Sequence, residues 1–139
     1  MSRFKGSKAL ETRLKAIPDE VLKHLQPVLV KSAEEIADYM RSLVSIDEGD
    51  LQASIEVTGP NQTTPAYAVG GGEATAAPNQ ALVTVGNPDV RTGHIVEFGS
   101  TKMDAQPFMR PAFRIAKPRV MRRLARAVGQ AIKKAGTNG

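Results

Sequence analysis

The order of apolar and polar positions divides the chain into helical ends and an extended middle. Over residues 4–17, Ala9, Leu10, Leu14 and Ile17 recur at a spacing that predicts one face of a helix. Pro18 interrupts it, and Asp19 and Glu20 suit the positive end of a new helix. A second helix is expected from residue 18 to about 44. Its broad stripe is Leu22, Leu25, Leu29, Ile36, Met40 and Leu43, with Val21, Val28, Ala33 and Ala37 beside it. Pro27 removes one backbone donor and is expected to kink or break this helix near His24. Lys31, Glu34, Glu35, Asp38 and Arg41 fall on its wet side.

The period then changes. Asp47-Glu48-Gly49-Asp50 reads as a turn, after which Leu51, Ala53, Ile55 and Val57 alternate with polar residues and predict a strand. Residues 59–79 are rich in Gly, Pro, Asn, Thr and Ala, and read as a mobile loop or a long hairpin. Ala81-Leu82-Val83-Thr84-Val85 is a second strand, stopped by Gly86-Asn87-Pro88-Asp89. A short helical turn over residues 93–98 is expected to end at Gly99. The last stripe is Phe108, Ala112, Ile115, Val120, Leu124, Val128 and Ile132, with a clean helix from Pro118 to about residue 135. Strands in the middle and helices at the ends predict an α+β fold: a small antiparallel sheet flanked by N-terminal helices and a basic C-terminal helix. One domain over residues 1–139 accommodates a helical part (2–44), a sheet (51–86) with the loop 59–79, and a last part (93–135) of short helix, connector and helix.

Composition narrows the function. The chain has 139 residues, 41% of them apolar and only 4% aromatic, so the core must be aliphatic. There is no Cys, which removes disulfides, thiolate metal sites and a cysteine nucleophile. His24 and His94 stand far apart, and no apolar run reaches the roughly 20 residues that span a bilayer. A soluble intracellular chain with no cofactor and no membrane partner is expected. Its net charge of +5 is unevenly placed: up to Asp104 there are 10 Lys/Arg and 14 Asp/Glu, and from Ala105 onward 9 Lys/Arg and no acid. The chain is an acidic body with a basic arm, and such separation points to a directional partner.

The candidates for chemistry each have a plainer reading. Gly70-Gly71-Gly72 lacks the spacing of a phosphate-binding loop and reads as a loop tip. Asp47, Glu48 and Asp50 lack the length of a calcium loop and read as a solvated turn. His94 and Glu97, one helical turn apart, have no third group to complete a catalytic set, and read as a pair packing a junction. Arg119, Arg122, Arg123, Arg126, Lys133 and Lys134 form a candidate basic face. Three readings are open for it: a solvated face, contact with nucleic-acid phosphates, or docking on an acidic neighbouring subunit. No aromatics interleave with these cations, so base stacking is not supported.

One segment stands apart. Glu97-Phe98-Gly99-Ser100 leads into Ala105-Gln106-Pro107-Phe108-Met109-Arg110-Pro111-Ala112, and three of the six aromatics lie between residues 98 and 113. Prolines fix the path. Phe98 and Phe108 are the candidates for locking this connector.

Together with Gly49-Asp50-Leu51-Gln52-Ala53-Ser54-Ile55, this segment resembles small tail-component proteins of long-tailed bacteriophages, of the tail-completion or head–tail joining group. The resemblance runs from about Leu10 to Leu124; Glu48 stands where that family usually has Thr or Ser. It implies a structural protein of the virion tail or neck, present in host cytoplasm during assembly, without catalysis. The implied partners are further copies of itself in a hexameric ring, the tail-tube protein and the head connector or stopper, with DNA passing through the lumen and no sequence-specific contact. Glu97, Phe98, Gln106, Phe108 and Arg110 are then the candidate subunit or partner interface. The alternative is a small basic DNA-binding protein that uses the C-terminal helix.

Overall fold

The computed structural model describes residues 18–45, 48–68, 73–90, 92–101 and 104–138. The helix expected over residues 4–17 and the Gly70–Gly72 tip lie outside the described residues. The element order is α1 (Asp19–Leu43), α2 (Gly49–Ala53), β1 (Glu56–Thr58), β2 (Leu82–Thr84), α3 (Gly93–Phe98) and α4 (Met109–Asn138). The α+β expectation holds: helices enclose a two-stranded antiparallel sheet with Glu56 opposite Thr84, Val57 opposite Val83 and Thr58 opposite Leu82.

α1 packs against α4 and against both strands. Its amphipathic stripe explains this, because Val21, Leu25, Ala33, Ala37 and Met40 are buried along it. Pro18 precedes its first turn, and the Leu22 N–H donates to the Pro18 carbonyl at 3.0 Å. Pro27 does not break it. The helix runs unbroken to Leu43, since burial on both sides of the proline outweighs one missing donor. The main core joins Ala37, Met40 and Val44 to Leu51, Ile55, Val85, Val96, Phe108 and Ala112. A smaller cluster of Val21, Leu25 and Ala131 closes the far end of the α1–α4 pair.

The strand expected from Leu51 is corrected. Residues 49–53 form the short helix α2, and pairing begins only at Glu56. Leu51 and Ile55 share a face at helical spacing as well as at strand spacing, and both are buried. The local alternation therefore did not separate the two periods. Ser54, expected on a polar strand face, is buried. Its hydroxyl donates to the Leu51 carbonyl at 2.7 Å and accepts the Gly86 N–H at 3.0 Å, tying the end of α2 to the exit of β2. Gly86 has φ +102, and a Cβ there would lie 2.8 Å from the Val90 carbonyl oxygen.

The segment 59–79 resolves toward its hairpin reading where it is described. Thr63 bridges Thr75, and the Asn61 and Thr64 N–H groups donate across to Ala76 and Ala74. The last helix begins nine residues before the proline expected to open it, with Pro118 inside it. Its buried face also differs from the expected stripe: Ala112, Ala116, Val120 and Ala131 are buried, whereas Ile115 and Ile132 are exposed. Small residues allow α1 and α4 to approach closely, and the two isoleucines fall on other sectors of the helix.

Candidate functional site: the connector between α3 and α4

Residues 99–108 join two helices that must keep a fixed relation. α3 starts after Thr92 and stops at Gly99, whose φ of 78° and ψ of 175° admit glycine and almost no other residue. The Gly99 N–H donates to the Ile95 carbonyl at 2.7 Å, and the Gln106 N–H returns to the Val96 carbonyl at 2.7 Å. The second bond folds the connector back onto α3, so the backbone of Gln106 is a structural contact; its side chain is exposed.

Glu97 is the centre of the joint. Its side chain is buried at 3% exposure and points at backbone. Its Oε1 accepts the N–H groups of Phe108 and Met109, each at 2.8 Å, and its Oε2 accepts that of Arg110 at 3.2 Å. These donors open α4 and have no partner within that helix. A carboxylate from another helix thus caps α4 and sits at the positive end of its dipole. The His94 side chain of the expected His94–Glu97 pair lies outside the described residues.

Phe98 and Phe108 were both candidates for locking the connector. Phe108 does so: it is fully buried in the main core. Phe98 does not, because 58% of it is exposed. The guanidinium of Arg110 lies over the Phe98 ring, 5.1 Å from its centroid. The joint therefore has two sides, a dry one that fixes α3 to α4 and a wet one that displays an aromatic–cation pair.

The basic face is divided by a partner that charge counting did not identify. Glu35 on α1 takes Arg123 at 2.6 Å and Arg119 at 3.3 Å, and Arg123 also donates to the Ser32 hydroxyl at 3.3 Å. Two arginines thus meet the acidic body within one chain. Arg122 and Arg126 are exposed, as are Lys133 and Lys134. Glu35 and Ser32 could have been noticed as polar residues close to the apolar stripe of α1. Among the described residues, no cluster of His, Asp or Glu could hold a metal ion, and no helix is long and apolar enough to cross a membrane.

No curated protein and no solved structure is matched by the chain. A family model described as "Bacteriophage HK97-gp10, putative tail-component" matches residues 8–99. That span contains α1, α2, both strands and α3, and ends at Gly99; the returning connector and α4 lie beyond it. About two thirds of the chain is covered, and the protein belongs to this family of bacteriophage tail components.

Proposed function

We propose that this tail component is a ring-forming completion or terminator protein that joins the tail tube to the head connector. The observation that carries this reading is the α3–α4 joint. Glu97 and Phe108 hold it from inside, while Phe98 and Arg110 stand on its surface. An exposed aromatic beside an arginine, on a rigid mount, is the composition of an interface anchor. Such a protein positions its neighbours and catalyses nothing. Its partners are other copies of itself, the tube protein and the connector, with DNA passing through the ring.

Native mass spectrometry and negative-stain imaging, with and without tail-tube protein, test this. Closed rings are expected, with six subunits. A chain that stays monomeric even with tube protein present overturns the reading.

A second reading, DNA binding through α4, rests on exposed Arg122 and Arg126. Duplex titrations across a salt series separate the two. Steep salt dependence with sequence preference supports DNA binding; weak, unselective binding that vanishes near physiological salt removes it.

A further inference from the structure

We infer that the outward face of α4 in one copy of the chain docks on the acidic surface around Tyr67 of a second copy. This rests on the ring reading for how successive contacts close, and on the placement of charge and exposed apolar groups for the contact itself. Arg110, Arg114, Met121, Ala125 and Ile132 follow one another in α4 at steps of four and seven residues, so they share one face of the helix. All five are exposed, and the buried Ala112, Ala116 and Val120 lie on a different face. Arg122, exposed and one turn before Ala125, borders the stripe. Phe98 lies against Arg110 at the start of this face. The surface that displays Phe98 therefore continues along α4 as apolar side chains with arginines beside them.

An occupant of this face must bring both acid and an apolar group. α4 carries nine Lys and Arg and no acid, so two copies of the same face repel each other. Nucleic acid supplies phosphates but makes no use of exposed Met121 and Ile132. The chain itself carries the complement. Residues 42–90 hold six Asp and Glu and no Lys or Arg. Asp50, Glu56, Glu73 and Asp89 among them are exposed.

Tyr67 gives this acidic region its apolar group. It is 60% exposed, and its φ of 63° lies in the left-handed region that bulky side chains rarely adopt. Its carbonyl oxygen is 3.6 Å from where a Cβ on Gly86 would stand, next to the turn that carries Asp89 between the bridged Asn87 and Val90. Glu73 precedes Ala74, whose N–H donates at 2.8 Å to the hydroxyl of Thr64, one short step from Tyr67. Two acids and no cation thus share the neighbourhood of this ring. An exposed tyrosine among acids and an apolar stripe among arginines are complementary in polarity and in charge. The two surfaces are different parts of the chain, so the contact is head-to-tail, the kind that closes into a ring.

Two full-length variants reverse the charge of one surface each: Arg114→Glu with Arg122→Glu on α4, and Glu73→Lys with Asp89→Lys around Tyr67. All four positions are exposed, and circular dichroism checks that each variant folds. Association is followed by native mass spectrometry and sedimentation. Each variant alone should associate at least about 30-fold more weakly than wild type, because like charges then face each other across the contact. Mixed in equal amounts, the two should recover to within about tenfold of wild type, since every contact in an alternating assembly again pairs opposite charges.

Wild-type association by either variant alone, or no recovery in the mixture, overturns the inference and leaves the ring reading standing. Open wild-type chains that obey the mixing rule but never close support the contact and overturn the ring. A wild type that binds tube protein or duplex DNA through Arg114 and Arg122, but never binds itself, overturns the second copy as occupant.

Discussion

Glu97 shows how one side chain can fix a joint. Removing its carboxylate leaves three N–H groups at the start of α4 without acceptors in a nearly dry site. Glu97→Ala is expected to lower stability by about 2–3 kcal/mol in urea unfolding, the range for losing bonds to a charged acceptor. Glu97→Gln keeps the shape but turns an N–H₂ group toward the helix opening, and should recover only part of that loss. The two phenylalanines separate by burial. Phe108→Ala should cost about 3–5 kcal/mol, as for other buried aromatics. Phe98→Ala should change the stability of the isolated subunit by no more than about 0.5 kcal/mol, because most of its ring is already in water. A large loss on Phe98→Ala would mean that the ring stabilises the subunit itself.

At the scale of the element, α4 is a helix with three different sides. One side is small and aliphatic and lies on α1. A second is basic, with Arg119 and Arg123 held by Glu35 and Arg122 and Arg126 in water. A third carries Phe113 and Leu124 at the groove. The ion pair is only partly buried, with the Arg123 side chain 26% exposed and that of Glu35 16%, so solvent screening discounts it. Arg123→Ala should still destabilise by about 1 kcal/mol, because Glu35 loses its shorter partner and Ser32 a donor. Arg122→Ala should have no measurable effect on unfolding. Pro118 lies inside α4 without a donor for the preceding turn. Pro118→Ala is expected to raise the unfolding midpoint, corresponding to about 1–2 kcal/mol, since the restored bond outweighs the greater freedom of the unfolded chain.

At the scale of the whole molecule, the proposed assembly would use the two charge halves over distance and the exposed Phe98 at close range. They should therefore affect different rates. If copies associate as proposed, opposed charges on the acidic body and the basic arm should speed their encounter, and this effect should fade as the screening length falls from about 10 Å at 0.1 M salt to about 3 Å at 1 M. Stopped-flow measurement of subunit association should show a rate constant that drops with salt. Phe98→Ala should leave that salt slope intact and raise the dissociation rate. A salt-independent association rate would show that the charge asymmetry plays no part in assembly.

Much of this molecule was legible along the chain because its signals are local. The stripe of Leu25, Ala33, Ala37 and Met40 determined α1, the Ala81–Val85 run determined β2, and Gly99 ended α3. The connector motif also contains Glu97 and Phe108, the two residues that hold the joint. What sequence could not decide depends on which residues meet across the fold. Leu51 and Ile55 satisfy both helical and strand periods, and only packing against α1 and Val85 selected the helix. Ile115 and Ile132 match an apolar stripe as well as Ala116 and Ala131 do, but the close approach of α1 buries the alanines. Glu97 accepts three backbone donors that the returning chain brings from 11, 12 and 13 residues later, a meeting that no local spacing announces. Nine cations told nothing about Glu35, which lies more than eighty residues before the two arginines it holds. The sequence by itself determined the elements, the charge polarity and the tail-component resemblance, since each follows from neighbours in the chain. The tertiary structure alone decided that Phe108 is anchored and Phe98 displayed, because burial belongs to the arrangement of all the elements together.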